Sequence, residues 1–266
     1  MYIDFHTHAF DEKIAAKAIS RLEEVGDMKA YCDGTVSALT EYYHSHGIDK
    51  AVLLPIATKP TQQTTINNWS KSVESETIIP FGSVHPDAVD ALEELERIKD
   101  MGMKGIKLHP DYQEFFVDED RLFPIYKKCE ELGLIIVFHA GFDPLSPKVI
   151  HALPEKFLKV YKKNPYLKMV LAHLGGMNCF SDVKNLLASL EGDLYFDTAF
   201  MFGSCPEKTM MEIINKHGTD RILFASDFPW HSPLQEIEMI NGFDLSAKDK
   251  ERIFWKNAVK LLNIKV

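Results

Sequence analysis

The sequence predicts an α/β protein of the (β/α)8, or TIM, barrel class. Short apolar runs rich in β-branched residues alternate eight times with longer amphipathic stretches, no linker or low-complexity segment interrupts them, and 266 residues suit a fold that takes about 250. One domain over residues 1–266 is expected. The strands are read, in order, in YIDFHTH at the N-terminus, DKAVLLP (49–55), TIIPFGSVHP (77–86), KGIKLHP (104–110), LIIVFHAG (134–141), YLKMVLAHLGG (166–176), DLYFDTA (193–199) and DRILFASDFP (220–229). Helices fill the intervals. The stretch 87–102 carries apolar residues at 89, 92, 95 and 98, a stripe read as core rather than a cofactor box, and LFPIYKKCEELG (122–133) follows the fourth strand. Further helices are expected near 149–163, 180–190 and 206–217. Gly47, Gly102 and Gly133 fall just past helices, where a residue of positive φ is wanted. A doubly wound sheet is the rival architecture. Against it, no GxGxxG or GxxxxGK follows the first strand, and polar residues recur at the ends of many strands rather than at one switch point.

Composition narrows the function. Thirty Lys and Arg stand against 39 Asp and Glu, a net charge of −9 that repels a polyanion, so nucleic acid is not an expected partner. The apolar run Leu134 to Phe138 is far short of the roughly 20 residues of a membrane helix. The start MYIDFHTHAF lacks the basic, then apolar, pattern of a signal peptide, which points to the cytoplasm. Cys32, Cys129, Cys179 and Cys205 form no CxxC pair and are read as reduced thiols.

His6 and His8, two apart on a strand, point to one face and can share one metal ion. His44 and His46 have the same spacing but lie at a helix end, where i and i+2 diverge, so they are read as surface. His139, His173 and Asp227 also end strands and therefore meet at the same barrel mouth. In strand 8, alternation sends Leu223, Ala225 and Asp227 inward, and a carboxylate placed there calls for a partner or a cation. Imidazoles and a carboxylate are ligands of zinc or a similar divalent ion.

The segments DFHTH, KGIKLHPDYQ, FHAG, AHLGG and RILFASDFPW, spread in order over residues 4–230, resemble the metal-dependent amidohydrolase superfamily. The similarity is to its amidohydrolase-related branch, which includes aminocarboxymuconate-semialdehyde decarboxylase, resorcylate decarboxylase and hydrolases of lactones and other small acids. The resemblance implies His6, His8, His139 and Asp227 as ligands of one zinc ion, with His173 orienting or protonating at the reacting centre. In binuclear relatives a lysine of strand 4 is carboxylated and bridges two metals. Lys107 is instead preferred as an ammonium that pairs with a neighbouring carboxylate or holds an anionic substrate, and a second ion stays open. His109 is read as a substrate contact and Trp230 as a pocket wall, His85 and His231 as loop residues within reach of substrate, and His151 and His217 as solvated helical positions.

The expected reaction is hydrolysis of a small amide, ester or lactone, with Asp227 taking a proton from the attacking water and His173 polarising the carbonyl. The alternative is nonoxidative decarboxylation of a small unsaturated or aromatic acid. A catalytically inert metal-binding barrel is the third reading. The partner in each enzymatic case is a small molecule, and assembly into a homo-oligomer is left open.

Overall fold

The computed structural model describes residues 1–266. Its strands are β1 Ile3–Thr7, β2 Lys50–Leu53, β3 Ile78–Pro80, β4 Gly105–Leu108, β5 Ile135–Phe138, β6 Lys168–Leu171, β7 Leu194–Asp197 and β8 Ile222–Leu223. All pairs are parallel, in the runs β1-β2-β3 and β4-β5-β6-β7-β8. Backbone bonds close the ring at both junctions. The Gly82 N–H donates to the Gly105 carbonyl (2.9 Å) and the Lys107 N–H to that of Gly82 (2.8 Å), while Phe5, Asp227 and His8 donate to Phe224, His6 and Phe228 (2.9, 2.9 and 2.7 Å). The fold is thus the predicted TIM barrel. No helix is long and apolar enough to cross a membrane.

Period-2 alternation sorts the strand residues into two cores. Ile3, Phe5, Val52, Ile135, Val137, Val170, Tyr195, Leu223 and Ala225 fill the barrel interior, and their neighbours Ile106, Leu108, Ile136, Phe138, Phe196 and Phe224 pack outward on the helices. Each such side chain is worth roughly 1.5–3 kcal/mol of burial. Strand β4 opens on Gly105 because a Cβ there would lie 2.3 Å from the Ile135 carbonyl oxygen and 2.5 Å from the Phe81 ring. The three helix-end glycines have φ of 69°, 82° and 66°, as their positions require.

Three expectations are corrected. The stripe at 89, 92, 95 and 98 is core only at Leu95 and Ile98, because the helix begins at Ala91 and leaves Val89 fully exposed and Leu92 38% exposed. His151 is not helical; it is half-buried, with Nδ1 2.8 Å from Asp111 Oδ1. His217 ends its helix (Glu207–His217) but is buried, stacked on Phe196 at 3.9 Å with Nε2 donating to the Leu194 carbonyl (3.1 Å).

Burial lowers the His217 imidazole from 6.5 to about 4, so the folded state resists its protonation. Its contribution to stability is complete above pH 6.5 and is lost as pH falls toward 4; by about pH 4.5 the loss amounts to roughly 2.5 kcal/mol. Urea unfolding at neutral pH and near pH 4.5 should show a difference smaller by about that amount in His217→Gln than in the wild type. Equal differences in the two proteins would mean that the ring is not buried neutral.

Candidate metal centre

The imidazoles of β1 are fixed in their tautomers by their outer nitrogens. His6 Nδ1 donates to Asp197 Oδ2 (3.0 Å) and His8 Nδ1 donates to the Leu54 carbonyl (2.8 Å), so each Nε2 carries a lone pair. These lone pairs face each other at 3.2 Å, and Asp227 Oδ1 lies 3.1 Å from His8 Nε2 and 3.5 Å from His6 Nε2. Three acceptors thus converge with no proton to share among them. Ligands 2.0–2.1 Å from a tetrahedral ion stand about 3.4 Å apart, so the three atoms fit a divalent cation.

Two irregularities aim these side chains. Ile3 and Phe5 occupy the interior, which by alternation would turn His6 outward; the register shift between Asp4 and Thr7 brings it in. Asp4, left on the outer face, is tied down by Tyr43 Oη (2.7 Å), Ser226 Oγ and the His6 N–H (3.0 Å). His173 is likewise out of phase with inward Val170, and its left-handed backbone (φ 57°) redirects the ring.

Lys107 follows the alternation of β4 and is fully buried, with Nζ 3.1 Å from His6 Nε2. Burial lowers its amine to about 8, against the opposing pull of Asp197 and Asp227. No carboxylate lies within ion-pair distance of it, so the expected pairing with a neighbouring acid is absent. His173 Nδ1 donates to the Ala199 carbonyl (3.0 Å), and its Nε2 faces His139 Nδ1 at 3.1 Å. The glycines after it are held in close packing. A Cβ on Gly175 would meet Val183 at 2.9 Å and Phe196 at 3.0 Å, and one on Gly176 would meet Val183 at 3.3 Å, so both serve packing.

His139 stands between two groups of donors. Its Nδ1 faces His173; its Nε2 donates to the Phe142 carbonyl (3.3 Å) and looks toward His109, Asp143 and Asp111. His109 stacks on His139 at 4.3 Å and sets Nε2 3.5 Å from Asp143 Oδ2. The structure therefore groups His6, His8 and Asp227 directly, and His109, His139 and Asp143 as a second cluster. Burial raises the Asp143 carboxyl to about 7, with Asp111 and Asp227 adding to the effect. Trp230 is half-buried three residues beyond Asp227, its N–H donating to the Asp227 carbonyl (2.9 Å). His231 packs on Phe200 and pairs with buried Glu236 at 3.0 Å.

Sequence reasoning overlooked Asp197, Asp111 and Asp143. Asp197 ends strand β7 and accepts from His6 Nδ1 and from the His173 and Ala199 N–H groups, and its place at the end of DLYFD was a usable signal. Asp111 and Asp143 lie in loops after β4 and β5, where alternation says nothing of direction.

The amidohydrolase family profile matches residues 3–264. Among curated proteins, 2-amino-3-carboxymuconate-6-semialdehyde decarboxylase of Caenorhabditis elegans is 24% identical over 280 residues, covering 80% of this chain and 67% of the relative. The gamma-resorcylate decarboxylase of a Polaromonas species is 26% identical over 217 residues, covering 65% and 66%. The chain thus spans about two thirds of the length of these relatives. A crystal structure of a dihydroxybenzoic acid decarboxylase from Polaromonas, with bound manganese and the inhibitor 2-nitroresorcinol, superposes with a TM-score of 0.72. It covers 99% of this chain and 97% of its own at 16% identity, a likeness of fold.

Proposed function

The chain belongs to the amidohydrolase family, and from that premise we propose that it is a metal-dependent decarboxylase of a small unsaturated or aromatic carboxylic acid. This corrects the hydrolysis of an amide, ester or lactone expected from sequence, since the curated relatives that cover 65% or more of this chain are decarboxylases, whereas the dihydroorotases it also resembles cover 56%. With hydrolysis goes the task of taking a proton from water, and Asp227 keeps the role of ligand. His6 Nε2, His8 Nε2 and Asp227 Oδ1 hold one divalent ion, zinc or manganese, and His139 Nδ1 is the fourth donor. The observation that carries the reading is the convergence of those lone pairs beside a buried amine that no carboxylate neutralises.

When bound, the ion supplies a Lewis acid that draws in the substrate's oxygens and spreads their charge. Lys107 is the cation available to the departing carboxylate. The five arginines are engaged elsewhere, Arg21, Arg97, Arg121 and Arg252 on acidic side chains and Arg221 on the Leu190 and His217 carbonyls. Trp230 walls the pocket. The bond between the carboxyl carbon and its neighbour breaks, CO2 leaves, and the electron pair stays on the substrate carbon. His173, as the imidazolium, then delivers the Nε2 proton to that carbon while Nδ1–H stays on the Ala199 carbonyl, and the neutral ring regains its proton from solvent.

Protein loaded with manganese or zinc should release CO2 from 2,6-dihydroxybenzoate or a related hydroxybenzoate, or from an unsaturated amino-carboxylic acid. In D2O the product should carry one deuterium at the vacated carbon. Cleavage of lactones or amides with no CO2 released from any such acid would overturn the proposal.

A further inference from the structure

We propose that His109 and Asp143 hold a second divalent cation, its charge balanced by the buried carboxylate of Asp111, on the far side of the His139 ring from His6, His8 and Asp227. The donors come from the two loops that follow β4 and β5. His109 Nε2 and Asp143 Oδ2 are 3.5 Å apart, long for a charge-assisted hydrogen bond and close to the separation of about 3.4 Å between two ligands of one small ion. Asp111 Oδ2 is fully buried, has no hydrogen-bond partner, and lies 4.0 Å from His139 Nε2; Asp143 Oδ2 lies 3.8 Å from the same nitrogen. The one proton His139 offers on this side goes to the Phe142 carbonyl at 3.3 Å, which leaves the buried Asp111 Oδ2 unsatisfied.

The other atoms of the cluster are held in ways that aim these donors. Asp111 Oδ1 is fixed by Ser146 Oγ and by His151 Nδ1 (2.8 Å), and Asp143 Oδ1 accepts from the Leu145 N–H (2.7 Å), so in each residue the second oxygen is the one that faces the cluster. His109 is oriented by stacking on His139, and its Nδ1 is buried without a partner, so hydrogen bonding does not explain how the ring is placed. Two buried carboxylates meet here with no lysine or arginine within ion-pair distance. Such a pair is costly unless a proton or a cation neutralises it, and an imidazole and a carboxylate with a second carboxylate beside them suit an ion such as manganese or zinc.

The test counts ions, so its result does not depend on whether the protein is a decarboxylase. Chelator-treated full-length protein is titrated with MnCl2 and the free ion is read by electron paramagnetic resonance. Wild type should bind two ions per chain. His109→Ala and the nearly isosteric Asp143→Asn should each bind one, the His6→Ala/His8→Ala variant should bind the other one, and the combination should bind none. Circular dichroism melts establish that each variant is folded, and Asp143→Asn carries the test if His109→Ala is not. A single ion in the wild type overturns the proposal. So does loss of both ions in a folded Asp143→Asn, which would make these carboxylates orienting groups for His139. Two ions that survive both single changes but not Lys107→Ala would place the second ion on a carboxylated Lys107, and would overturn it as well.

Discussion

Replacing His6 and His8 together with alanine is expected to remove the ion between them and to cut decarboxylation by roughly 10⁴-fold or more. A Lewis acid at a developing charge is worth several kcal/mol, and each 1.36 kcal/mol is a factor of ten. The pair is decisive because of the protons it lacks. Asp197 and the Leu54 carbonyl take both Nδ1 protons, so what remains at the centre is two lone pairs within 3.2 Å of each other and a carboxylate oxygen within 3.5 Å of both. Without the imidazoles of β1, only Asp227 and His139 remain of the four proposed donors. The barrel should survive, because Ile3 and Phe5 supply the interior packing of β1 and the β1–β8 junction is made by backbone atoms. Metal analysis of the folded double variant checks this, with His44→Ala/His46→Ala as the control. Those two histidines are exposed at the end of the helix Val36–Ser45, and losing them should change nothing. Full occupancy in the His6/His8 variant would show that the ion sits elsewhere.

How much of this could be read from the chain depends on where the backbone is regular. The interior residues of β4, β5, β7 and β8 obey period 2, so Gly105-Lys107-His109, Ile135-Val137-His139, Tyr195-Asp197 and Leu223-Ala225 point inward as alternation predicts, while Asp227, four residues past the end of β8, joins them through a left-handed backbone (φ 70°). His6 and His173 reach the same mouth only through a register shift and a left-handed residue, neither of which a hydrophobic pattern signals. Their recognition rested on the resemblance of DFHTH and AHLGG to a family. Asp111 and Asp143 had neither kind of signal. They sit in loops, and their directions are set by Ser146, His151 and the Leu145 N–H, contacts that exist only once those loops have folded. The reaction itself was the least legible. The same donors serve hydrolysis and decarboxylation, and what separates the two is the electrostatic company of the substrate carboxylate, of which the sequence showed only that arginines are few.

Substituting His173 with alanine is expected to leave metal content near normal and to slow the chemical step by roughly 10²- to 10⁴-fold, the range for a positioned general acid. Its backbone N–H is held by Asp197 Oδ1 (3.0 Å) and its Nδ1–H by the Ala199 carbonyl (3.0 Å), so the ring has one orientation and one nitrogen free to exchange a proton. That nitrogen faces His139 Nδ1 at 3.1 Å, while the His6 ring centroid is 5.6 Å away, which sets His173 beside the first group of donors rather than within it. If His173 supplies the proton that replaces the carboxyl, the variant should bind substrate with little change in KM and lose kcat, and deuterium incorporation at the vacated carbon should slow in step with kcat. An added small imidazole should recover part of the rate. Loss of one ion in the alanine variant would instead make His173 a ligand. Normal metal content with an unchanged rate would assign the proton to another donor, and Lys107, whose buried amine has its pKa lowered to about 8, is the group best placed to supply it.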